Sequence, residues 1–212
     1  MAYLSQPQGE STRERILETT EKLILAKGYV GTSIDDIIKV AGLTKGGFFY
    51  HFKNKAELGK AVVERYAAAD FELFERFSTQ ADSATDDPFD SLILFLTLFE
   101  DFINDLCAPP GGCVFASYIY ESAHFDDDVK QYIADGFNYW GDMYVRRIDT
   151  IKEIYPPRIE VDSRELSQTI MAIIEGAFIL SKSLNEAKIV AYTSKHFRNY
   201  LHLIFRPDTV VS

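Results

Sequence analysis

Cysteine, tryptophan and long apolar runs are what this sequence has least of. Its 212 residues include two cysteines, Cys107 and Cys113, and one tryptophan. Two cysteines are too few for a disulfide framework or a thiolate-built zinc site. The longest apolar run, Leu92 to Phe99, is broken by Thr97 and fenced by Asp90 and Glu100. It falls well short of the roughly 20 residues that a bilayer-spanning helix needs. The opening Met1-Ala2-Tyr3-Leu4-Ser5-Gln6-Pro7 has neither a basic start nor an apolar stretch, so no secretory signal is expected and the chain should be cytoplasmic.

Catalytic signatures are missing as well. There is no Gly-x-Ser-x-Gly elbow, no phosphate loop with its lysine, no dinucleotide glycine fingerprint and no His-Glu-x-x-His. His196 and His202 are too far apart in sequence to share a helical face as i, i+4 ligands do. Asp126-Asp127-Asp128 and Asp86-Asp87 lack the spacing of a calcium loop and read as helix starts. The expectation is therefore no enzyme, no metal and no cofactor.

What is present is an ordinary globular composition, 47% apolar, 14% aromatic and 25% charged. The formal charge of −10 argues against a nucleic-acid partner until its distribution is read. Residues 1–60 hold nine Lys/Arg against seven acids, net +2, and the remainder carries −12. A mildly basic head on an acidic body suits a DNA reader with a separate sensing part.

Helix punctuation runs the length of the chain, with no period-two strands and no internal repeat, so the fold class is all-α. Ser11-x-x-Glu14 reads as a capping box before a helix with Ile16, Leu17, Thr20, Leu23 and Ile24 on one face, stopped at Gly28. Ser33 caps a short helix ending at Gly42, Thr44 caps another from Lys45 to about Phe52, and Asn54 opens a long one towards Ser78. Residues 79–87 read as a polar loop. Asp87-Pro88 starts a helix to about Leu106, Cys113 to about His124 is shorter, and Asp126-Asp127-Asp128 opens one ending near Tyr155. Asp162 caps the next, through about Ser183, and Asn185-Glu186 caps the last, to about Phe205.

Two short helices joined by a tight glycine turn after a first helix form a helix–turn–helix pattern, in which the second short helix enters a major groove. Here it is Thr44-Lys45-Gly46-Gly47-Phe48-Phe49-Tyr50-His51-Phe52. Two glycines there are a poor choice for packing, since each costs about 1 kcal/mol against alanine, but they allow close backbone approach to DNA.

At these residues the chain resembles the tetracycline-repressor (TetR) family of bacterial transcription factors. The resemblance rests on Ala26-Lys27-Gly28-Tyr29, Thr32-Ser33-Ile34-Asp35-Asp36-Ile37, and Ala41 through Leu58, about 45 residues in which helix–turn–helix, aromatic recognition helix and Tyr-His-Phe-Lys-x-Lys exit occur together. It implies a head at residues 1–54 that binds double-stranded operator DNA, and an effector-binding, dimerising body at residues 55–212. Thr32, Ser33, Tyr50, His51 and Lys55 take phosphate roles, and Thr44, Lys45 and Gly46 take base contacts. Phe49 stands where many relatives have a tyrosine whose hydroxyl binds phosphate, so that role is not carried over.

For a small-molecule effector the candidates are Cys113, Phe115, Tyr118, Glu121, Trp140, Tyr144, Glu175 and Phe178. The aromatics could line a pocket or simply fill the core; Glu121 and Glu175 interrupt apolar segments and must be exposed, paired or ligand-facing. Cys113, after Gly111-Gly112 at a helix start, is either an ordinary small buried residue or a thiol whose thiolate that position favours. For such a Gly-Cys element the resemblance implies a response to oxidants or electrophiles, and the spacing of Cys113 from Cys107 leaves a disulfide open. Stripes at Leu166, Ile170, Ile173, Ala177, Leu180 and at Val190, Phe197, Leu201, Ile204 either face their own core or, as the resemblance implies, join a second copy in a four-helix homodimer interface. The expected function is a ligand-responsive, DNA-binding transcriptional regulator, a repressor released from a palindromic operator by a small-molecule effector or a Cys-reactive electrophile. The competing reading is a helical binding or adaptor protein without DNA affinity.

Overall fold

The computed structural model describes residues 11–105 and 112–206. Among the described residues there are nine α-helices and no strand: α1 Thr12–Lys27, α2 Ile34–Ala41, α3 Lys45–His51, α4 Lys55–Ala84, α5 Pro88–Asn104, α6 Val114–Tyr120, α7 Asp127–Ile154, α8 Ser163–Leu184 and α9 Ile189–Phe205. They form two compact units. The first holds residues 11–72 and 112–135, the second residues 73–105 and 136–206, and both α4 and α7 contribute to each.

In the first unit, α1 packs on α2 and α6. Its inward face is Ile16, Leu17 and Ile24, all essentially inaccessible to water. Another face presents Glu14, Glu18 and Glu21 at i, i+4 and i+7, and Arg65 of α4 donates to all three, at 3.2 Å to Glu18 and 2.6 Å to Glu21. Glu14 thus serves Arg65 rather than closing the expected capping box; only the Ser11 half forms, with Ser11 Oγ accepting from the Glu14 amide at 3.2 Å. Tyr118 of α6 is fully buried, its hydroxyl donating to the Gly59 carbonyl at 2.9 Å. A Cβ at Gly59 would come within 2.7 Å of the Tyr29 ring, so glycine lets α4 pass close to that ring.

In the second unit, α9 packs on α5 and α8. Arg198 of α9 meets Glu100 of α5 in a two-pronged pair, both bonds at 2.7 Å, the planar fork that suits a carboxylate. Arg206, closing α9, lies over the Phe89 and Tyr155 rings and donates to Asp87 and to Asp90. It therefore ties the start of α5 to the end of α9.

Three differences from the sequence expectation have physical reasons. α4 continues through residues 79–84: Ala81 is buried, and Asp82 accepts from Arg147 at 2.9 and 3.0 Å and from Ser91 at 2.5 Å, so tertiary contacts override the polar composition. Asn185 does not open α9 but ends α8 in the left-handed region, φ 53°, with Lys188 preceding α9; asparagine tolerates that conformation. The stripe assigned to a dimer seam is mostly the protomer's own core. Leu166, Ile170, Ala177, Val190, Phe197, Leu201 and Ile204 are buried, and Leu180 is exposed.

Burial raises the Glu21 carboxyl pKa above its ordinary 4.5, outweighing the pull of Arg65. Such a group binds its proton more tightly folded than unfolded. The stability it contributes is complete below the unfolded value and is lost as pH rises through the folded one. Thermal melts of Glu21→Gln should therefore show a gain over the parent at pH 8 that disappears near pH 4; equal or lower stability at pH 8 would contradict this account.

Candidate nucleic-acid interface

α2 and α3 are placed by caps written into their sequence. Ser33 Oγ accepts from the Asp36 amide at 3.0 Å while Asp36 takes the Ser33 amide at 3.1 Å, a reciprocal box. Asp36 also holds Lys27 at 2.6 Å, and these bonds keep its carboxyl well below the usual range, the lysine contact first among them. Gly42 ends α2 at φ 65°, a conformation that suits glycine. Thr44 Oγ1 then accepts from the Gly47 amide at 3.1 Å and starts α3.

α3 is anchored by Phe48 and Phe52, both buried, with ring centroids 6.2 Å apart. Lys45, Gly46, Phe49 and Tyr50 face solvent; Tyr50 is 85% exposed and meets His51 edge-on at 4.9 Å. A Cβ at Gly46 would meet no atom of the described residues within 4 Å, so no packing among them demands glycine there. Thr44, Lys45, Gly46, Tyr50 and half-buried His51 thus share one short element, with Ser33 exposed at the start of α2.

Two expected DNA contacts are otherwise engaged. Thr32 is fully buried and its hydroxyl donates to the Gly28 carbonyl at 2.7 Å. Lys55 places Nζ 4.2 Å from the Tyr29 ring centre and 3.4 Å from the Val30 carbonyl. Partial burial lowers its pKa, with Glu121 opposing. Arg13 of α1 places its guanidinium 5.2 Å from the Phe52 ring.

The eight effector candidates divide between the units. In the first, Cys113 is buried ahead of α6 without a side-chain cap bond, and Phe115 packs against Tyr66 at 5.5 Å. Tyr118 stacks on Phe125 at 4.5 Å, and burial drives its hydroxyl pKa up. Glu121 accepts from the Val30 amide at 2.7 Å and lies against Gly28, whose φ is 80°. In the second unit, Trp140 and Tyr144 join one aromatic cluster through Phe74 and Phe95, while Glu175 and Phe178 are half-buried a turn apart on α8. The Cys107–Cys113 pairing lies outside the described residues through Cys107. A cavity of about 290 Å³ in the second unit is lined by none of the eight but by polar groups including Glu75, Ser78, Asp82, Arg146 and Arg147. Arg147 is satisfied by Asp82, Ser78 and Ser91, so much of that lining is already paired. Among the described residues no cluster of His, Cys, Asp or Glu could hold a metal ion, and no helix is long and apolar enough to cross a membrane.

Comparison with known proteins places this geometry. The family model of bacterial regulatory proteins, tetR family, matches residues 16–62, and that of the tetracyclin repressor-like C-terminal domain matches residues 88–197. The chain is similar to the HTH-type transcriptional repressor NemR of Escherichia coli strain K12, 26% identical over 127 residues, 59% of this chain and 61% of that protein. The match therefore spans about three fifths of that relative's length. A TetR transcriptional regulator from Chloroflexus aurantiacus superposes with a TM-score of 0.76 at 27% identity, covering 92% of this chain and 96% of that one. The reduced form of E. coli NemR shares the fold, with a TM-score of 0.70 at 22% identity over 94% of this chain and all of that one.

The burial of Thr32 and the open space at Gly46 separate structural from surface roles. Thr32→Val should lower unfolding free energy by about 1 kcal/mol through its lost hydrogen bond. Gly46→Ala should raise it by up to about 1 kcal/mol. Chemical denaturation of both variants checks this; a neutral Thr32→Val would return Thr32 to the surface set.

Proposed function

Because the chain belongs to the TetR family of bacterial regulatory proteins, we propose that it is a ligand-responsive, DNA-binding transcriptional regulator: a repressor that leaves a palindromic operator when a small molecule binds its helical body. The observation that carries this is the outward face of α3, capped at Thr44, anchored by Phe48 and Phe52, and offering Lys45, Gly46 and Tyr50 to solvent. Tyr50, His51 and Ser33 supply phosphate contacts that set register, while Lys45 reaches base edges and the bare backbone at Gly46 lets the helix approach closely. Thr44 contributes its cap and a neighbouring contact. Thr32 and Lys55 act behind this surface, shaping the turn between α1 and α2.

The active form is a twofold homodimer. Exposed apolar residues lie along one side of α8, at Ile179, Leu180 and Leu184, and along α9, at Tyr192, Tyr200 and Leu203. An antiparallel pair with this face uncovered suits a self-complementary four-helix seam. Two α3 helices about 34–36 Å apart would then enter successive major grooves, which makes the operator palindromic.

Trp140, Tyr144, Glu175 and Phe178 are the proposed effector contacts. An effector acts only through its differential affinity for the DNA-binding and released conformers. Cys113, Phe115, Tyr118 and Glu121 belong to the unit that carries α3, where they report on the effector rather than enclose it. The thiol-switch reading makes Cys113 the sensor; its burial requires α6 to open before an electrophile reaches it. Cys113→Ser tests that reading directly, since an operator complex that an enal still releases does not depend on this thiol.

Fluorescence anisotropy with the chain's own upstream DNA at low salt should show specific binding that weakens steeply as salt rises. Lys45→Ala should cost about 1–3 kcal/mol and relax discrimination at one position per half-site. Leu180→Glu combined with Leu203→Glu should give a monomer by light scattering and abolish tight binding. A folded protein indifferent to that DNA would support the adaptor reading instead.

A further inference from the structure

An α-helix advances about 100° per residue, which orders the solvent-facing side of α3. Starting from Lys45, Phe49 lies about 40° round, Gly46 about 100° and Tyr50 about 140°, whereas fully buried Phe48, at about 300°, lies well outside that arc and Phe52 follows the end of α3 in extended backbone. The middle of the outward face therefore belongs to Phe49 and Gly46, with Lys45 and Tyr50 at its margins. Neither central residue has a side chain that can hydrogen-bond. Phe49 is 42% exposed, and its ring meets the fully buried Phe48 edge-on, centroids 5.3 Å apart at 85°. That contact braces the ring against a fixed part of the core, so holding it in place costs little further side-chain entropy on binding. One turn before it, a Cβ at Gly46 would meet no atom of the described residues within 4 Å, so the helix surface beside the ring is open there.

A surface of this kind cannot read the donor and acceptor pattern of a base at its centre. The thymine 5-methyl is the one apolar group that the major groove presents among base edges, and an apolar side chain is its fitting partner. We infer that Phe49 is a specificity-determining residue that reads thymine 5-methyl groups at the centre of each operator half-site. This rests on the regulator reading. Lys45 then discriminates the neighbouring base by hydrogen bonding and Tyr50 meets the backbone, so the half-site is read by one polar and one apolar contact.

The test uses the full chain and an operator selected from a random duplex pool, in which each thymine is replaced in turn by deoxyuridine. The replacement removes one methyl and leaves every hydrogen bond in place. Binding should weaken about fourfold at one position per half-site, related by the dyad, as expected for one buried methyl. Phe49→Tyr should keep this sensitivity because the ring remains. Phe49→Ala should lose it, and Phe49→Asn should move the preferred base towards adenine. Selected half-sites without thymine, or deoxyuridine indifference at every position with tight binding intact, would overturn the methyl reading alone; so would undiminished deoxyuridine sensitivity in Phe49→Ala. The deoxyuridine scan of the unaltered protein decides the matter even where a variant fails to fold. Failure to enrich any sequence, with no binding at low salt, overturns the regulator reading from which this one follows.

Discussion

Arg65 projects from α4 towards three carboxylates that α1 carries at successive turns, and the position of the surface proposed to read DNA follows from that pairing. Glu14, Glu18 and Glu21 on one helical face repel one another. They are tolerable there only with a cation opposite, and Glu21 is essentially inaccessible to water. Removing the Arg65 guanidinium would leave the buried carboxylates uncompensated, which is costlier than never having had the cluster. The arrangement therefore contributes less to net stability than to register. α1 can lie against α4 with its acidic face on Arg65 and its apolar face on the core, and sliding by one turn would break both. Because α2 packs on α1, and α3 follows after a single capped turn, the orientation of the reading helix is inherited from this contact.

α6 is fastened to the same frame from another side. Tyr118 reaches the Gly59 carbonyl of α4, and Glu121 receives the Val30 amide in the loop between α1 and α2. Gly28 in that loop has a positive φ, and an added Cβ would run into the Glu121 carboxylate. These bonds join the loop that leads into α2 to a helix distant in sequence. A displacement of α6 is consequently felt where α2 begins, which gives the unit a means of altering the reading surface without any change in α3 itself.

Local chemistry made most helix boundaries legible in the sequence. The caps at Ser33, Thr44, Asp87 and Asp162, the stop at Gly42 and the acidic start of α7 all depend on bonds spanning two to four residues, and each is where the residue types indicate. The helix–turn–helix was legible for the same reason. What escaped depends on partners remote in sequence. Nothing near residues 79–84 announces that Arg147 will hold Asp82. Asn185 can close one helix or open the next on equal chemical grounds. The hydroxyl of Thr32 beside the capping Ser33 looks like a surface donor until the Gly28 carbonyl is placed against it. Apolar stripes on α8 and α9 are legible as stripes, but periodicity alone does not tell which side of an amphipathic pair faces its own core and which is left uncovered. The aromatic candidates met the same limit, because a buried tyrosine and a ligand-facing one share the same spacing.

The acidic total of the chain looks like an obstacle to binding a polyanion, and the placement of the acids removes much of it. The net +2 of residues 1–60 counts all seven carboxylates as though each faced solvent. Glu14, Glu18 and Glu21 are instead turned to Arg65, which lies beyond that stretch and is absent from the sum. Asp36 is held by Lys27 and the Ser33 cap. Lys39, Lys45, Lys53 and Lys60, by contrast, are exposed. The field that a phosphate backbone meets at the head is therefore more positive than composition suggests, and at physiological salt charges more than about 8 Å away are largely screened from it. Inward-facing glutamates that fix α1 in register thus also leave fewer carboxylates on the outer surface of the head, where Asp35 and Glu57 remain exposed, so one arrangement serves both its fold and the DNA contact proposed for it.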